Sequence, residues 1–472
     1  MSIGAEALTS YKKIDEAYID GLLKKEIEAS NKKIVVLDDD PTGVQTVHDI
    51  SVYTNWDKDS IRQGFDEENS LFYVLTNSRG FTVEQTTKAH NEIASVVDQV
   101  AKETGKEYIF ISRSDSTLRG HYPLETETLR ETLEAEGITV DGEILCPFFP
   151  EGGRYTVGDV HYVAEGTRLI PAGETEFAKD RTFGYKSSDL KEWIEEKSGG
   201  RWKKDEVLSV SVAELRGKTL KGTEEKLLSL TGFQKLIVNA VEYRDVERFA
   251  EVCKACISRG KTYIFRTAAA FPKVLGGITD QKLLGKEELV EQDNPHGGLI
   301  IAGSHVTKTT RQLEELKKDE RIRFIEFNVA LVTDEEKFRR EQERVIRETD
   351  EALAAGVTAA VYTSRKRLDL DTGNREDDLR LSVKISDAVT GIVPALSVRP
   401  SFLIAKGGIT SSDIGTKGLR VKKAMVAGQI LPGIPVWKTG EESLFPHMSY
   451  VIFPGNVGSD TALYDAVQKL IG

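Results

Sequence analysis

Three consecutive carboxylates, Asp38, Asp39 and Asp40, follow the apolar run 34–37 and precede the turn sequence Pro41-Thr42-Gly43. The run is typical of a short buried strand, and Pro-Thr-Gly is a turn signal. In an open parallel α/β sheet, ligands bind beyond the carboxyl ends of the strands. Three acids at such an edge repel one another unless a metal ion, a cation or substrate hydroxyls compensate them. A solvated acidic turn is the simpler alternative, but the pattern favours an active-site edge.

A second polar stretch, Ser112–His121, follows the apolar run 108–111 and contains two arginines, an aspartate, several hydroxyls and a histidine. Arginine binds a carboxylate or a phosphate through two parallel hydrogen bonds. The hydroxyls and Asp115 can bond the hydroxyls of a sugar. We therefore predict a site for a small polyhydroxy anion, with Arg154 as a further cation at the same edge. A loop that carries only helix caps and surface ion pairs is the alternative.

Four glycine-containing stretches lie in the second half of the chain, at 303–307, 406–413, 427–433 and 455–458. Glycines let the backbone approach phosphate, and a helix N-terminus offers free N–H groups and a favourable dipole. Each stretch is a weak signal alone, and together they favour nucleotide binding. Neither the P-loop pattern nor the dinucleotide-binding G-x-G-x-x-G pattern is present, so a nucleotide would bind through an unconventional set of glycine loops.

A competing pattern is Asp38-x-Asp40-x-Thr42, which fits phosphotransferases of the haloacid-dehalogenase type. In those enzymes the first aspartate is phosphorylated and the second is a general acid. They also need a later acidic pair at a strand end, whereas Asp377-Asp378 lies in a charged stretch without strand character. An aspartyl phosphatase is therefore disfavoured, and a non-catalytic ligand-binding protein stays an alternative.

Strands, polar loops and helices alternate along the chain, which predicts a parallel α/β architecture. We predict two α/β domains, each a mainly parallel sheet flanked by helices, with the active site in the cleft between them. The predicted boundaries are an N-terminal helical extension over 1–30, a substrate domain over 31–280, a linker over 281–297 and a nucleotide domain over 298–472. The stretch 155–186 is expected to be an irregular segment over the site.

The composition fits an ordinary globular protein, with 472 residues, 39% hydrophobic and 30% charged. The net charge of -12 argues against a nucleic-acid partner. No apolar run approaches the roughly 18 residues of a membrane span, and no signal-peptide core is present. Three cysteines suggest a reducing cytoplasm. Cys253 and Cys256 fit one side of an amphipathic helix rather than a metal site.

The whole chain resembles the four-carbon acid sugar kinase family, the bacterial kinases for threonate, erythronate and 3-oxo-tetronate. The resemblance covers roughly 34–471 and depends on several motifs in the same order. These motifs are Asp39-Asp40-Pro41-Thr42-Gly43, Ser112-Arg113-x-Asp115-Ser116-Thr117-Leu118-Arg119-Gly120, the loop 147–154, Lys406-Gly407-Gly408-x-Thr410-Ser411, Gly428-x-x-x-Pro432-Gly433-x-Pro435 and Gly455-Asn456-x-Gly458.

The resemblance implies an N-terminal substrate domain, a C-terminal nucleotide domain, and transfer from ATP with Mg²⁺ to a terminal hydroxyl of a four-carbon sugar acid. The candidate catalytic acids are Asp39, Asp40 and Asp115. The candidate substrate-binding residues are Thr42, Arg113, Ser116, Arg119 and Arg154, with the carboxylate of the acid on Arg113 or Arg119. The candidate ATP-binding residues are Ser304, Gly407, Gly408, Ile409, Thr410, Gly428, Gly455 and Asn456. The metal ligands stay unassigned, and a homodimer is left open.

One departure from the family pattern concerns the last glycine loop. Family members often end in Lys-x-Gly-Asn-Phe-Gly, where this chain has Phe453-Pro454-Gly455-Asn456-Val457-Gly458. A lysine that contacts phosphate is therefore expected to be missing from this loop. The first acidic turn is also longer than usual, so the substrate is expected to differ from the named acids.

Overall fold

The computed structural model of the protein describes residues 2–11, 32–303, 306–365 and 375–472, with the side chains of 375–379 excepted. Contacts between Cα atoms divide the chain into two compact units. The first unit runs to Gly43 and then from Asn55 to Asp280, and the second combines Val44–Thr54 with Gln281–Gly472. The second unit therefore includes a short segment from the N-terminal part of the sequence.

The strands of the described residues are β1 (Ile3–Gly4), β2 (Lys32–Asp38), β3 (Ile50–Tyr53), β4 (Leu71–Leu75), β5 (Glu107–Arg113), β6 (Gly142–Cys146), β7 (Arg154–Val157), β8 (Val160–Glu165), β9 (Arg168–Pro171), β10 (Leu208–Val210), β11 (Gln234–Val238), β12 (Tyr263–Thr267), β13 (Leu299–Ala302), β14 (Ile322–Phe327), β15 (Thr358–Thr363), β16 (Leu403–Lys406), β17 (Lys423–Leu431), β18 (Ile434–Thr439) and β19 (Ser449–Phe453). The helices are α1 (Lys58–Asp66), α2 (Val83–Thr104), α3 (Leu124–Ala135), α4 (Leu190–Lys197), α5 (Val212–Leu215), α6 (Lys221–Ser229), α7 (Tyr243–Ser258), α8 (Ala270–Gly276), α9 (Lys286–Leu289), α10 (Thr307–Leu316), α11 (Glu335–Ala354), α12 (Arg375–Thr390), α13 (Gly408–Asp413) and α14 (Ala462–Ile471). None of the helices in these ranges is long and apolar enough to cross a membrane.

The main sheet of the first unit contains seven parallel strands in the order β10-β11-β6-β12-β5-β2-β4. Helices alternate with these strands along the chain, as parallel connections require. Strands buried on both faces are apolar along their length rather than alternating. Accordingly, Val35, Val36 and all of β4 are buried.

A small antiparallel sheet, in the order β1-β9-β8-β7, forms the second layer of the first unit. The prediction of an irregular segment over 155–186 is therefore wrong for its first half. The glycines that suggested irregular structure lie between the strands, where Gly158 and Gly166 adopt positive φ of 57° and 58° in the hairpin turns.

The sheet of the second unit is mixed. Strands β19, β16, β13, β15 and β14 are parallel neighbours in that order. Strands β18, β17 and β3 continue it in antiparallel pairs. The interpretation of 427–433 as a glycine loop is wrong, because Gly428 lies within β17 beside an irregular pairing step and Gly433 lies in the hairpin turn before β18.

The predicted fold class is confirmed, with two α/β domains whose sheets are mainly parallel and flanked by helices. Thr82 caps α2 in a reciprocal capping box with Gln85, as its position before the helix predicts. Cys253 and Cys256 are free and buried in α7. The expected linker carries Leu284 and Leu289, which are buried in the core of the second unit. Of the predicted N-terminal helix, Ala5–Thr9 forms a 3₁₀ turn, and 12–31 lie outside the described residues.

Candidate functional site

The carboxyl ends of the central strands of the first unit bring the acidic turn and the arginine loop together. Asp38 at the end of β2 lies in ladder register with Arg113 at the end of β5 and with Leu75 at the end of β4. Arg113 is in turn level with Thr267 of β12. The sequence expectation that both polar stretches leave the same edge is thus met by the register of the strands.

Two arginines, Arg113 and Arg79, form ion pairs with Asp38 and Asp39. Arg113 Nη1 lies 3.0 Å from Asp38 Oδ1 and 3.3 Å from Asp39 Oδ1. Arg79, which follows β4, donates from Nη2 to Asp39 Oδ1 at 2.6 Å. Burial raises the pKa of Asp38 to about 7 even though Arg113 opposes the shift. Burial also raises the pKa of Asp39, against the effects of Arg79 and Arg113.

Asp40 is less buried and stays ionised. Its Oδ1 accepts a hydrogen bond from the Thr42 hydroxyl at 2.5 Å and another from the Thr42 N–H at 2.9 Å, and its Oδ2 lies 3.2 Å from Arg79 Nη1. Burial would raise the pKa of Asp40, but Arg79 and Thr42 outweigh it and the pKa is lowered. The turn needs glycine at position 43, since a Cβ there would overlap the Asp38 carboxylate.

Asp115 is the second ionised acid of the site. Arg119 Nε lies 2.7 Å from Asp115 Oδ2, and the Thr117 hydroxyl donates to the same oxygen. Burial would raise the pKa of Asp115, but Arg119 and then Arg79 hold it well below its usual range. Since Arg79 acts on both acidic groups, the turn at 38–43 and the loop at 112–121 form one electrostatic cluster.

Strand β8 and the segment after β9 hold the arginine loop in place. The fully buried ring of His161 bonds through Nε2 with the Ser116 carbonyl at 2.7 Å and through Nδ1 with the Thr156 hydroxyl at 3.0 Å. Burial lowers the pKa of His161 to about 4, so the ring is neutral at pH 7. Tyr185 donates to the Thr117 carbonyl at 2.7 Å. The small sheet therefore fixes the backbone that presents Ser116 and Asp115.

Arg154, the first residue of β7, is a buried cation with no carboxylate within 4 Å among the described residues. Its guanidinium donates to the Gly152 carbonyl and lies 5.6 Å from the centre of the Phe177 ring. Arg119 lies 5.2 Å from the same ring, so the two cations share one aromatic contact. Arg154 Nε has no hydrogen-bond partner among the described residues, although the side chain is only 9% exposed.

Three charged residues of this cluster were not in the predicted set. Arg79 follows a strand end and could have been selected on that ground, whereas Arg266 is hidden within the apolar pattern of β12. Arg266 Nη1 lies 2.9 Å from Glu125 Oε2, and Ser78 donates to Glu125 Oε1 at 2.6 Å. Only the fold shows that Arg266 and Glu125, on β12 and α3, face each other.

The second unit gathers three of its glycine stretches at one sheet edge. Strands β19, β16 and β13 end level with one another, with Lys406 paired to Phe453 and to Ala302. Gly303, Gly407 and Gly455 follow these strands directly or within two residues. Gly407 has a φ of 116°, which only glycine adopts readily, and its N–H bonds the Phe453 carbonyl at 2.9 Å.

The remaining predicted nucleotide residues differ in position. Gly408, Ile409 and Thr410 begin α13 at this edge, and Ile409 is 75% exposed. Asn456 follows Gly455 in the same loop. Gly428 is not brought to the edge, because it is paired through β18 at the level of Val451, in the middle of β19. Ser304 lies outside the described residues.

The described part of the chain contains no group of three or more His, Cys, Asp or Glu side chains arranged to hold a metal ion. Asp38, Asp39 and Asp40 are instead compensated by arginines. These described residues therefore do not form a magnesium site made of protein ligands alone.

Two family models match the chain, a sugar-binding N-terminal domain over residues 34–275 and a nucleotide-binding C-terminal domain over residues 299–463. A solved Haemophilus influenzae protein is 17% identical with a TM-score of 0.61, over 93% of this chain and 100% of that chain. A Salmonella typhimurium LT2 protein, provisionally described as a tRNA synthase, is 16% identical with a TM-score of 0.63, over 92% of this chain and 98% of that chain. At these identities the likeness shows the fold alone. No protein with a curated description matches the sequence.

Proposed function

Because the chain belongs to the four-carbon acid sugar kinase family, we propose that it is an ATP-dependent kinase that phosphorylates a hydroxyl of a four-carbon sugar acid. The observation that carries this proposal is the pairing of a sugar-binding and a nucleotide-binding domain in one chain. A phosphoryl acceptor and a phosphoryl donor are the ligands that such a pair would take. That they meet in a cleft between the domains stays a prediction.

The charges of the first unit support an anionic acceptor. Five arginines (Arg79, Arg113, Arg119, Arg154 and Arg266) accompany six acids (Asp38, Asp39, Asp40, Asp115, Glu125 and Asp180), and each arginine except Arg154 has a carboxylate within 4 Å among the described residues. A pKa of about 7 leaves Asp38 partly neutral at physiological pH. Arg154 is the arginine of the cluster without such a partner and keeps an unused donor at Nε, so it is the cation best placed to receive a further negative charge.

We place the substrate carboxylate on Arg154, although the sequence favoured Arg113 or Arg119. A guanidinium can bind a carboxylate through two parallel hydrogen bonds. Arg113 and Arg119 already hold Asp38, Asp39 and Asp115, so they orient the acids. Arg119 remains close enough to add to the positive potential at the Phe177 ring.

Asp40 and Asp115 are the acids best suited to orient the attacking hydroxyl. Kinases position and stabilise charge, and an acid near the nucleophile accepts its proton as transfer proceeds. The pKa values of both acids are lowered, so both are ionised at neutral pH. Asp39 is nearly inaccessible and its oxygens are held by two arginines, which fits a structural role in positioning Arg79 and Arg113.

In the second unit, the backbone at Gly407 and Gly455 would accept the phosphates of ATP. Since the part of the chain that the structure describes has no magnesium site made of protein ligands alone, Mg²⁺ would be held largely by phosphate oxygens and water, as is common for this ion. A nucleophilic Asp38, as in the phosphatase alternative, is disfavoured because a buried carboxyl with a raised pKa is a poor nucleophile at neutral pH.

A coupled ADP-release assay with MgATP and a panel of four-carbon sugar acids tests the proposal. The panel contains both enantiomers of threonate and of erythronate together with 3-oxo-tetronates. ADP release that depends on one of these acids is the expected result. ATP binding without acid-dependent release for any member would refute the activity, and covalent trapping at Asp38 would favour the phosphatase.

A further inference from the structure

Lys406 is a fully buried lysine at the carboxyl end of β16, at the sheet edge of the second unit where Gly303, Gly407 and Gly455 lie. Its ammonium donates to the Pro454 carbonyl at 2.6 Å and to the Gly455 carbonyl at 3.3 Å. A lysine ammonium has three N–H donors. Two are used by the last glycine loop, which leaves one for a ligand.

The charge of Lys406 has no anionic partner in the described part of the chain. No carboxylate there lies within 4 Å of its Nζ, and the charged group that acts on it is another cation, Lys308 of α10. Burial and then Lys308 lower the pKa of Lys406 to about 7. A buried charge without a counter-charge is costly to the folded state. Two cations beside one loop, without an acid partner for Lys406 among the described residues, favour an anionic ligand there.

The register of the sheet explains why the lysine stands on β16. Lys406 is the ladder partner of Phe453 on β19, and its Nζ lies 4.3 Å from the centre of the Phe453 ring. Phe453 occupies the position at which the family ending Lys-x-Gly-Asn-Phe-Gly has its lysine. The two side chains are in contact, so an ammonium from position 406 reaches the loop that a lysine at 453 would serve.

We propose that Lys406 is the phosphate-binding cation of the nucleotide domain, and that it serves the last glycine loop, which has no lysine of its own, from the neighbouring strand. Lys406 would hold the Pro454 and Gly455 carbonyls inward and direct its third N–H at a phosphate oxygen. Lys308, which donates to the Gly458 carbonyl at 3.0 Å, would be a second, more exposed cation at the same loop. This inference rests on the proposed nucleotide-dependent function.

The test is calorimetric titration of ATP with Mg²⁺, and of adenosine, into the full chain and its variants. The Lys406→Met variant keeps the shape of the side chain and removes the charge, and we expect it to bind ATP about ten- to a hundred-fold more weakly, as for a lost hydrogen bond to a charged group. Adenosine, which lacks phosphates, should bind both proteins alike. The matched control is Lys417→Met, an exposed lysine paired with Asp413 in the same unit, which should leave ATP binding unchanged.

A double variant that exchanges the residues at 406 and 453 tests whether the lysine charge must stand on β16. Lys406→Phe combined with Phe453→Lys keeps the composition of the contacting pair and returns the lysine to the family position. We expect it to bind ATP within about threefold of the wild type, and it decides the question if Lys406→Met does not fold. Equal ATP affinity in Lys406→Met and wild type, or an equal loss for adenosine, would overturn the role of Lys406, and a double variant that folds without binding ATP would overturn the equivalence of positions 406 and 453. Wild-type protein that binds no ATP would instead overturn the proposed function.

Discussion

Replacing Arg154 with methionine should remove the recognition of the substrate carboxylate and leave the fold intact. The guanidinium is nearly inaccessible, and among the described residues it has no carboxylate within 4 Å and no hydrogen bond at Nε. Removing one member of a buried, hydrogen-bonded charge pair costs about 2 to 4 kcal/mol in binding. That corresponds to about a 30- to 700-fold weaker affinity for the acid.

The unliganded Arg154→Met protein should be no less stable than the wild type. Replacing a buried charge by an apolar side chain of similar volume is often neutral or stabilising. The measurements are the thermal midpoint of unfolding without ligand, the affinity for ATP, and the KM for the acid found in the panel. The first two should be unchanged and the third should rise. Arg181→Met, at an exposed position of the same unit, is the control that should change none of them.

An uncharged analogue makes the test specific for charge. The tetritol with the same stereochemistry has a hydroxymethyl group where the acid has its carboxylate. The wild type should prefer the acid by the factor that Arg154→Met loses, and the variant should treat the two alike. If Arg154→Met keeps the wild-type preference, Arg154 does not bind the carboxylate, and Arg113 or Arg119 must be considered again.

Three further predictions concern the acids and the turn. Asp40→Asn or Asp115→Asn should lower kcat by about 10²- to 10⁴-fold at an unchanged ATP affinity, and wild-type kcat in both variants would remove them as the orienting acid. Gly43→Ala should lower the free energy of unfolding by about 1 to 3 kcal/mol in urea titrations, because its Cβ meets the Asp38 carboxylate, whereas Gly80→Ala meets no atom within 4 Å and should be neutral. Since the pKa of Asp38 rises from 3.8 to about 7 on folding, the folded chain keeps a proton that the unfolded chain releases, and stability contributed by this group is lost as the pH rises through that window. Urea titrations at pH 5 and at pH 8 should show a smaller loss in Asp38→Asn, and an equal loss would contradict the assignment.

The location of the site could be predicted from the sequence because its signals are local. An apolar run followed by clustered acids or arginines indicates a strand end, and parallel strands bring their ends together. The ion pairs could not be predicted, because they depend on register between strands distant in sequence. Thus Asp38 faces Arg113 across 75 residues, and Arg266 contacts Glu125 across 141.

The wrong interpretation of 427–433 as a glycine loop has a related cause. Gly428 and Gly433 carry the composition of a loop, yet one lies at an irregular step of a strand and the other in a two-residue hairpin turn. A glycine indicates only that the backbone conformation is unusual at that position. The strand itself is formed by the pairing of β17 with β3 and β18. Since β3 comes from the N-terminal part of the sequence, no local pattern near residue 430 could predict that β17 pairs with β3.

The long sequence separation between β3 and β17 also affects folding during synthesis, because β3 is translated well before β17. Ile50 pairs with Val426, and a ribosome adds about 5 to 20 residues each second. Strand β3 is therefore made about 20 to 75 s before its partner β17 exists. Until then the N–H and C=O groups of β3 that pair with β17 are a template for association with other chains, a known hazard of exposed strand edges. A separately expressed fragment that starts at residue 281 would lack β3 altogether and expose the matching edge of β17. We expect such a fragment to aggregate, and addition of a peptide with the sequence 44–54 to reduce that aggregation.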